Sequence, residues 1–325
     1  MSRIGASLRP RRGTPVLAGP GASAAVLSAD PAPSTPRRVP AHPAAAPASA
    51  WLPGAPCSPQ SCVDATASVA AVPRAVLRLH AVLALVVTGI VCFPAVRRFP
   101  VAPGERITRA WCRTVVRAAG VRVRIAGSAP PRGGLLVVAN HISWLDVPLL
   151  AAVRPGRMLA KTEIRRWPVA GALTARSGAL FIDRDRLRAL PGTVARIADG
   201  LRAGSAVVVF PEGSTWCGRA QGHFRRAAFQ AALDAGVPVQ PVRLRYRRDA
   251  GPASTAPAFV GSDSLLTSLW RVVSARRLVA EVRVMPVLAP DSGTDRRCLA
   301  RAAERSVGLR AGRHAGTPAR HTALP

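Results

Sequence analysis

A histidine and an aspartate five residues apart carry the side chains of this sequence that are best suited to proton transfer. His141 and Asp146 follow the apolar run 135–138 and lie in the stretch 139–148. Histidine has an unperturbed pKa near neutrality, so it can take a proton from an alcohol, and a carboxylate on its other ring nitrogen would stabilise the imidazolium. On one regular helix the two side chains would point about 140° apart. We therefore expect His141 in a turn after a strand and Asp146 in the first turn of a helix, where Pro148 is tolerated.

Two basic residues lie near the ends of other predicted strands, which is where open α/β sheets place their sites. Lys161 follows the run 157–160, and Arg184 follows the run 179–182. Either side chain could hold a phosphate through charge-assisted hydrogen bonds, or could be a solvated surface charge. Lys161 is the only lysine among 46 basic residues, which favours a position that needs a compact ammonium group.

A turn-forming stretch follows the apolar run 206–209. Its residues are Phe210, Pro211, Glu212, Gly213 and Ser214. The Glu212 carboxylate could accept a hydrogen bond from a substrate hydroxyl, or it could face water in a turn in which Gly213 supplies a positive φ. Because a lone His-x4-Asp pair is common by chance, these further stretches are what favours a catalytic role for His141.

The formal net charge of +30 can indicate binding to nucleic acid or to an anionic membrane surface. The arginines are spread along a chain that is rich in Ala, Arg, Pro, Gly and Val, so part of the charge reflects composition. A single tyrosine also disfavours the aromatic platforms on which single-stranded bases stack. The sequence therefore favours a membrane over nucleic acid as a partner.

Six cysteines show no close spacing typical of a metal site. They are Cys57, Cys62, Cys92, Cys112, Cys217 and Cys298. The nearest approach to such a spacing, Cys57 with Cys62, lies in low-complexity sequence. We expect free thiols in a reducing compartment, no disulfide framework and no metal.

Residues 1–72 are rich in Ala, Pro, Ser and Gly and show no sustained period of 2 or 3.6. Such a segment cannot bury enough apolar surface to offset its ordering entropy, so we expect it to be disordered. It lacks the uninterrupted apolar run of a secretory signal. An alternative is that translation starts after Met1.

The region 73–120 contains an apolar segment that indicates membrane attachment. Its uncharged run, residues 81–96, is 16 residues long, whereas a full span needs about 20. Three interpretations are open: a short span, a helix half-embedded in one leaflet, or a buried core helix. Basic residues on both sides of the run and the amphipathic stretch 104–119 favour attachment from the cytoplasmic side of the cell membrane.

From residue 121 onwards, strand-like and helix-like segments alternate, which is typical of an α/β domain. The strand candidates are 121–125, 135–139, 157–160, 179–182, 206–210, 239–246 and 279–285. The clearest helix is 193–203, where apolar residues repeat at i, i+3, i+4 and i+7. We expect a central, mostly parallel sheet flanked by helices over residues 121–290, and then a C-terminal helix and basic tail over 291–325.

Four stretches together resemble the glycerolipid acyltransferases in their order and approximate spacing. They are Asn140-His141-x4-Asp146, Phe181-Ile182-Asp183-Arg184, Phe210-Pro211-Glu212-Gly213 and Val237-Pro238-Val239-Gln240-Pro241-Val242. The resemblance covers about residues 75–290 and is nearest in type to the bacterial 1-acyl-sn-glycerol-3-phosphate acyltransferases.

This resemblance implies the transfer of a fatty acyl group from a thioester to a glycerol hydroxyl in phospholipid biosynthesis. His141 would be the general base and Asp146 would orient it, with direct attack on the thioester carbonyl and no covalent acyl-enzyme. Lys161, Arg184 and the stretch Phe210–Ser214 would hold the phosphate and hydroxyl of the acceptor. The implied partners are a membrane, a lysophospholipid acceptor and a donor, which is acyl-CoA or acyl-carrier protein. No metal or other cofactor is needed.

Two places depart from the family pattern. Ser214 and Thr215 stand where the family often has Thr-Arg, so a phosphate contact is missing or comes from Arg219 or Arg225. The stretch 224–229 lacks a glycine that the family often has there. The departures leave the acceptor open, with 1-acyl-glycerol 3-phosphate as the default and a lyso-ornithine lipid as the main alternative.

A non-catalytic membrane-binding relative is a further alternative. The intact His141 and Asp146 pair argues against it, because a protein that only binds membranes has no need of a base and its orienting carboxylate.

Overall fold

The computed structural model of the chain describes residues 54–64, 71–184, 186–249, 251–291 and 293–308. These residues form nine α-helices and seven strands. The helices are α1 Pro59–Cys62, α2 Val72–Val96, α3 Val101–Ala118, α4 Asp146–Val153, α5 Pro168–Arg176, α6 Leu190–Arg202, α7 Ala227–Ala235, α8 Leu265–Ser274 and α9 Arg296–Val307. The strands are β1 Val121–Ala126, β2 Leu135–Ala139, β3 Arg157–Lys161, β4 Leu180–Ile182, β5 Ala206–Val209, β6 Val239–Arg248 and β7 Leu278–Val284.

The seven strands form one sheet in the order β1-β7-β6-β2-β5-β3-β4. Neighbouring strands are parallel except β6 and β7, which pair antiparallel with Val242 opposite Val284 and Arg248 opposite Leu278. Strands β2, β3, β4 and β5 all run in the same direction. Their carboxyl ends therefore meet at one edge of the sheet, which is the edge where open α/β sheets bind ligands.

Alternate residues of β2 point into two apolar layers, one on each face of the sheet. Leu135, Val137 and Ala139 belong to a layer that also holds buried residues of α2, α3, α4 and α8. Leu136 and Val138 belong to the layer covered by α6, α7 and α9. A strand covered on both faces has a continuous apolar sequence, so this run makes β2 a central, rigid strand ahead of the His141 turn.

Helices α2 and α3 precede the sheet and are joined to each other and to the domain by specific hydrogen bonds. The Trp111 indole N–H donates to the carbonyl of Leu85 at 3.0 Å and so links α3 to α2. The Arg78 guanidinium donates to the carbonyls of Val273 and Ala275 at 3.0 and 2.9 Å. Because a helix C-terminus has unsatisfied carbonyls and a partial negative charge, Arg78 fastens α2 to the end of α8.

Helix α2 is long and apolar enough to cross a membrane, judged by length and composition alone. Its most apolar 18-residue window has a mean hydropathy of 2.3, and only 6% of that window is buried. Leu77, Val87 and Val91 are among its large exposed side chains. This exposure rules out the interpretation of the segment as a buried core helix, and it leaves the short span and the half-embedded helix.

The predicted strands are confirmed to within two residues at each end, as is the mostly parallel sheet. The helix predicted over 193–203 begins three residues earlier, because Pro191 occupies the first turn, where its fixed φ suits a helix start. The antiparallel pairing of β6 with β7 could not be read from apolar patterns, which carry no strand direction. Helix α9 adds Leu299 and Ala303 to the core, so the packed domain continues past the expected boundary at residue 290.

The expectation that residues 1–72 are disordered is wrong for residues 54–64. Cys57 in this segment is buried. The backbone N–H of Asp64 donates to Oγ1 of Thr255, and the Thr255 N–H donates to Oδ2 of Asp64, both at 2.9 Å. Residues 1–53 and 65–70, and the basic tail from residue 309, lie outside the described residues.

Replacing Gly89 by alanine will destabilise the protein, although alanine favours helices. A Cβ on Gly89 would lie 2.3 Å from the Trp111 ring, so the ring must move and lose its bond to Leu85. Such overpacking costs roughly 1–3 kcal/mol, and we expect Tm to fall by several degrees in detergent.

The matched control is Gly104→Ala, since the nearest atom to its added Cβ is a carbonyl oxygen at 3.5 Å. This variant should have an unchanged or higher Tm. Equal Tm values for wild type and Gly89→Ala would show that the α2–α3 contact is not tightly packed.

Candidate active site

Residues from the ends of four neighbouring parallel strands line one cavity. His141 follows β2, Lys161 ends β3, Arg184 follows β4 and Phe210 follows β5. The cavity has a volume of about 2130 Å³, and its wall includes all four of these residues and many apolar residues of α2 and α3. The convergence follows from the sheet order, because β2, β5, β3 and β4 are successive neighbours.

The imidazole of His141 and the carboxylate of Asp146 are in direct contact, as their spacing predicted. Nδ1 of His141 lies 2.8 Å from Oδ2 of Asp146. The imidazole also stacks on the Phe210 ring, with centroids 3.8 Å apart and an angle of 11° between the planes. Because an ionised carboxylate can only accept hydrogen bonds, Nδ1 carries a proton, and in the neutral imidazole the lone pair is therefore on Nε2.

Asp146 begins α4 and is fully buried, with 0% exposure. Besides the imidazole, its Oδ2 accepts the backbone N–H groups of Ile142 and Ser143 at 2.6 and 2.8 Å. Its Oδ1 accepts the hydroxyl of Tyr246 at 2.5 Å. A buried charge is costly unless it is paired and hydrogen-bonded, and the positive end of the helix dipole adds to these contacts. The carboxylate therefore holds the turn, the imidazole and α4 together.

Tyr246, which the sequence analysis did not single out, lies beneath the dyad in β6. Burial raises its pKa well above the ordinary value, and the neighbouring Asp146 carboxylate raises it further. The phenol therefore stays neutral and keeps donating to Asp146. Tyr246 is the only tyrosine of the chain, and a tyrosine inside an otherwise arginine-rich and apolar strand was the one available signal.

The backbone of the His141 turn is fixed from two sides. The side-chain amide of Asn140 accepts from the N–H of Leu244 at 2.8 Å and donates to its carbonyl at 3.0 Å. This pair continues the hydrogen bonding between β2 and β6 one residue past the end of β2. On the other side, the N–H of Trp216 donates to the carbonyl of His141 at 2.8 Å.

Glu212 also holds the His141 turn. Its carboxyl group is 4% exposed, and it accepts the N–H of His141 at 2.7 Å and that of Gly222 at 3.1 Å. Burial raises the pKa of Glu212 from 4.5 to about 8, against the lowering effect of these two N–H groups. From the sequence we expected the Glu212 side chain either to bind a substrate hydroxyl or to face water. In the structure both of its oxygens instead accept hydrogen bonds from the protein backbone. Gly213 does have the expected positive φ, at 76°.

Three cations lie in the cavity wall next to the carboxyl ends of the strands. They are Lys161, Arg184 and Arg225. The Arg184 guanidinium donates to the carbonyl of Gly213, and the N–H of Arg225 donates to that of Pro211 at 2.9 Å. Burial lowers the pKa of Arg184, and Arg225 adds a smaller lowering effect, but an arginine remains charged at neutral pH. This group of cations is suited to binding an anionic group.

Of the two arginines considered as replacements for a phosphate contact, Arg225 lies at the cavity and Arg219 does not. Arg219 instead forms an ion pair with Asp64 at 3.0 Å. The Thr215 hydroxyl donates to the carbonyl of Phe259, which leaves it engaged within the protein.

Ser214 differs from Thr215 in its hydrogen bonding. Its hydroxyl oxygen is buried, lies in the cavity wall, and has no hydrogen-bond partner among the described residues. An unpaired buried hydroxyl is unfavourable by itself, so this position is suited to a polar group of a bound ligand.

The last of the four family-like stretches, residues 237–242, supports the sheet and does not line the cavity. It forms the start of β6, where Val239 pairs with Leu136 of β2. Gln240 is fully buried, and its amide donates to the carbonyl of Met285 at 2.5 Å. Its contribution to the site is therefore indirect, through the position of β2.

The chain is similar to known acyltransferases. A family model described as Acyltransferase matches residues 120–245. A lyso-ornithine lipid O-acyltransferase from Pseudomonas aeruginosa is 41% identical over 209 residues, which cover 63% of this chain and 78% of that protein. A 1-acyl-sn-glycerol-3-phosphate acyltransferase from Neisseria meningitidis is 35% identical over 196 residues, which cover 60% of this chain and 76% of that protein.

A solved structure shares the fold. The crystal structure of the 1-acyl-sn-glycerophosphate acyltransferase from Thermotoga maritima aligns with a TM-score of 0.55 and 19% identity. The alignment covers 73% of this chain and 93% of that one. At this identity the likeness concerns the fold alone.

The raised pKa of Glu212 predicts a specific pH dependence of stability. The folded protein retains a proton on Glu212 that the unfolded chain has released between about pH 4.5 and 8. Stability therefore falls as pH rises through this window, by at most about 1.4 kcal/mol per pH unit from this group. Glu212→Gln is uncharged throughout, so its Tm minus that of wild type should increase between pH 5 and pH 8.5.

The comparison at pH 5 serves as the internal control, since position 212 is then uncharged in both folded proteins. A Tm difference that stays constant, or that decreases with pH, would contradict the buried setting of this carboxyl group.

Proposed function

The chain belongs to the acyltransferase family, and we propose that it transfers a fatty acyl group from an acyl thioester to the free hydroxyl of 1-acyl-glycerol 3-phosphate. The product would be phosphatidic acid, an intermediate of phospholipid biosynthesis. The observation that carries this proposal is the His141–Asp146 contact of 2.8 Å in the wall of a cavity that is also lined by Lys161, Arg184 and Arg225 and by apolar residues of α2 and α3.

His141 acts as the general base in this proposal. With Nδ1–H bonded to Asp146, the lone pair on Nε2 takes the proton of the acceptor hydroxyl as its oxygen attacks the thioester carbonyl. The buried Asp146 carboxylate stabilises the imidazolium that forms. The imidazolium then returns its proton to the departing thiolate, so transfer is direct and needs neither a covalent acyl-enzyme nor a metal.

Tyr246, Asn140 and Glu212 are positioning residues in this scheme. The Tyr246 hydroxyl donates to Oδ1 of Asp146 and so keeps Oδ2 directed at His141. Asn140 and Glu212 fix the backbone on either side of the imidazole. Small displacements of a reacting group are costly, which gives these contacts a catalytic consequence although none reaches the substrate.

The phosphate of the acceptor binds at the cations of the cavity wall. Lys161, Arg184 and Arg225 supply charge there, and Ser214 supplies a hydroxyl that has no partner among the described residues. Phe210 and Pro211 form the part of the wall next to His141. Charge-assisted hydrogen bonds from such groups are stronger than neutral ones, so they can hold a phosphate despite competition from water.

In this proposal the apolar residues that α2 and α3 contribute to the cavity wall hold the acyl chains next to a membrane. These residues include Val86 and Ile90 of α2 and Ile107 of α3, and the outer face of α2 is exposed. We place residues 73–120 in the membrane interface, at the cytoplasmic face of the cell membrane, and residues 121–290 with α9 above it as the transferase domain. The donor is acyl-CoA or acyl-carrier protein.

A lyso-ornithine lipid is the second candidate acceptor. The relative from Pseudomonas aeruginosa, which is 41% identical, is named for this substrate. In addition, Thr215 stands where many members of the family have an arginine, and its hydroxyl donates a hydrogen bond to the carbonyl of Phe259. A headgroup with less negative charge than a phosphate would need fewer cations.

The test is acyl transfer from labelled oleoyl-CoA by membranes that contain the protein, with three acceptors offered separately. These are 1-acyl-glycerol 3-phosphate, lyso-ornithine lipid and glycerol 3-phosphate. We expect product with 1-acyl-glycerol 3-phosphate, and a decrease of roughly 10²–10⁴-fold in His141→Ala, because general base catalysis contributes about this much.

The matched control is His223→Ala, since this histidine has a 99% exposed side chain away from the cavity. It should retain wild-type activity. Product with lyso-ornithine lipid alone would support the second candidate instead. If acyl-carrier protein also fails as donor with every acceptor, or if His141→Ala is as active as wild type, the proposed reaction is wrong.

A further inference from the structure

Three of the six cysteines of the chain meet at one place in the fold. The Sγ atoms of Cys57, Cys62 and Cys217 all lie within 4.8 Å of one another. Cys57 and Cys217 are buried, and Cys62 is partly exposed. Cys57 and Cys62 belong to the ordered segment 54–64, whereas Cys217 lies in the loop that follows β5, so the fold brings together thiols that are about 155 residues apart in sequence.

The helix α1 sets the spacing of the first two thiols. Cys57 precedes the helix and Cys62 is its last residue, with the N–H of Cys62 donating to the carbonyl of Ser58 at 3.0 Å. The Ser58 side chain caps the helix by accepting the N–H of Ser61 at 3.2 Å, which is the usual role of serine at this position. One helical turn therefore returns the chain so that both thiols face the same point.

A second set of contacts fastens the same two segments together beside the thiols. Asp64, two residues after Cys62, forms an ion pair with Arg219, two residues after Cys217, at 3.0 Å. Asp64 also exchanges hydrogen bonds with Thr255. The thiol cluster is thus held by polar contacts that do not involve sulfur, and its geometry is part of the domain packing.

The donor set is suited to a thiophilic cation. Thiolate ligands select Zn²⁺, Cu⁺ and iron–sulfur clusters over hard cations. A Zn–S distance of about 2.3 Å in a tetrahedral site puts sulfur atoms about 3.8 Å apart, so a contraction of about 1 Å at most would complete the geometry. Three protein thiolates leave a fourth position for water, and the partly exposed Cys62 gives a route for entry.

We propose that Cys57, Cys62 and Cys217 form a Zn²⁺ site, with water as the fourth ligand, that clamps the segment 54–64 to the loop after β5. The site is separate from the His141–Asp146 dyad and takes no part in acyl transfer, so it stands or falls independently of the proposed function.

The clamp also supports the active-site turn through the neighbours of Cys217. The N–H of Trp216 donates to the carbonyl of His141 at 2.8 Å. Gly218 has a φ of +86°, and a Cβ placed on it would lie 3.2 Å from Ile142. The metal therefore fixes a loop that contacts the His141 turn on both sides of Cys217, and its loss should lower the stability of that region.

The test uses the full chain, purified in detergent with a phosphine reductant and supplied with Zn²⁺. After gel filtration we expect about one Zn²⁺ per chain by elemental analysis, and a chelator should lower Tm. Substituting Cd²⁺ should give the ultraviolet charge-transfer absorption of thiolate ligands. Cys57→Ser, Cys62→Ser and Cys217→Ser should each lose the bound metal and the effect of the chelator on Tm.

Cys298→Ser is the matched control, because Cys298 is an exposed cysteine on α9 outside the cluster. It should retain the metal. Cys62→Ser is the least disruptive of the cluster variants, since Cys62 is only partly buried, so its metal content can be measured on a folded protein even if the buried variants unfold.

Two results would overturn the proposal. They are a wild-type protein that leaves the column without Zn²⁺, and a Cys62→Ser variant that binds as much Zn²⁺ as Cys298→Ser.

Discussion

The candidate active site depends on one buried charge, the Asp146 carboxylate. It accepts hydrogen bonds from the His141 imidazole, from two N–H groups of the turn, and from Tyr246 in β6. A carboxylate removed from water is tolerated only with such partners. These partners come from the turn and from the sheet. The hydrogen bonds that stabilise the buried charge therefore also fix the orientation and the tautomer of the imidazole.

The remainder of the site extends this arrangement in two directions. Toward β5, Glu212 and Trp216 hold the backbone of His141 from its N–H and its carbonyl. Toward the N-terminal helices, α2 and α3 are attached through Arg78 and Trp111 and contribute apolar residues to the cavity wall. A lipid with a charged head and an apolar tail matches a cavity whose wall contains both cations and many apolar residues.

Local patterns in the sequence predicted the strands and the His141–Asp146 contact, because periodicity and short spacing are local properties. They could not predict Tyr246, whose partner is 100 residues away, or the antiparallel pairing of β6 with β7. The segment 54–64 was missed because its order comes from contacts such as Asp64 with Thr255, across 191 residues. The thiol cluster was missed for the same reason: only the fold brings Cys217 to Cys57 and Cys62.

The most direct test of the central role of Asp146 is the rate of acyl transfer by Asp146→Asn with the preferred acceptor. Asparagine can keep one oxygen toward the turn and place its amide against the Tyr246 hydroxyl, so the fold and Tm should change little. Without the carboxylate charge the imidazolium is no longer stabilised, and we predict that kcat falls by roughly 10³–10⁴-fold while KM stays within a few-fold. A folded variant that keeps a tenth or more of wild-type kcat would contradict this account.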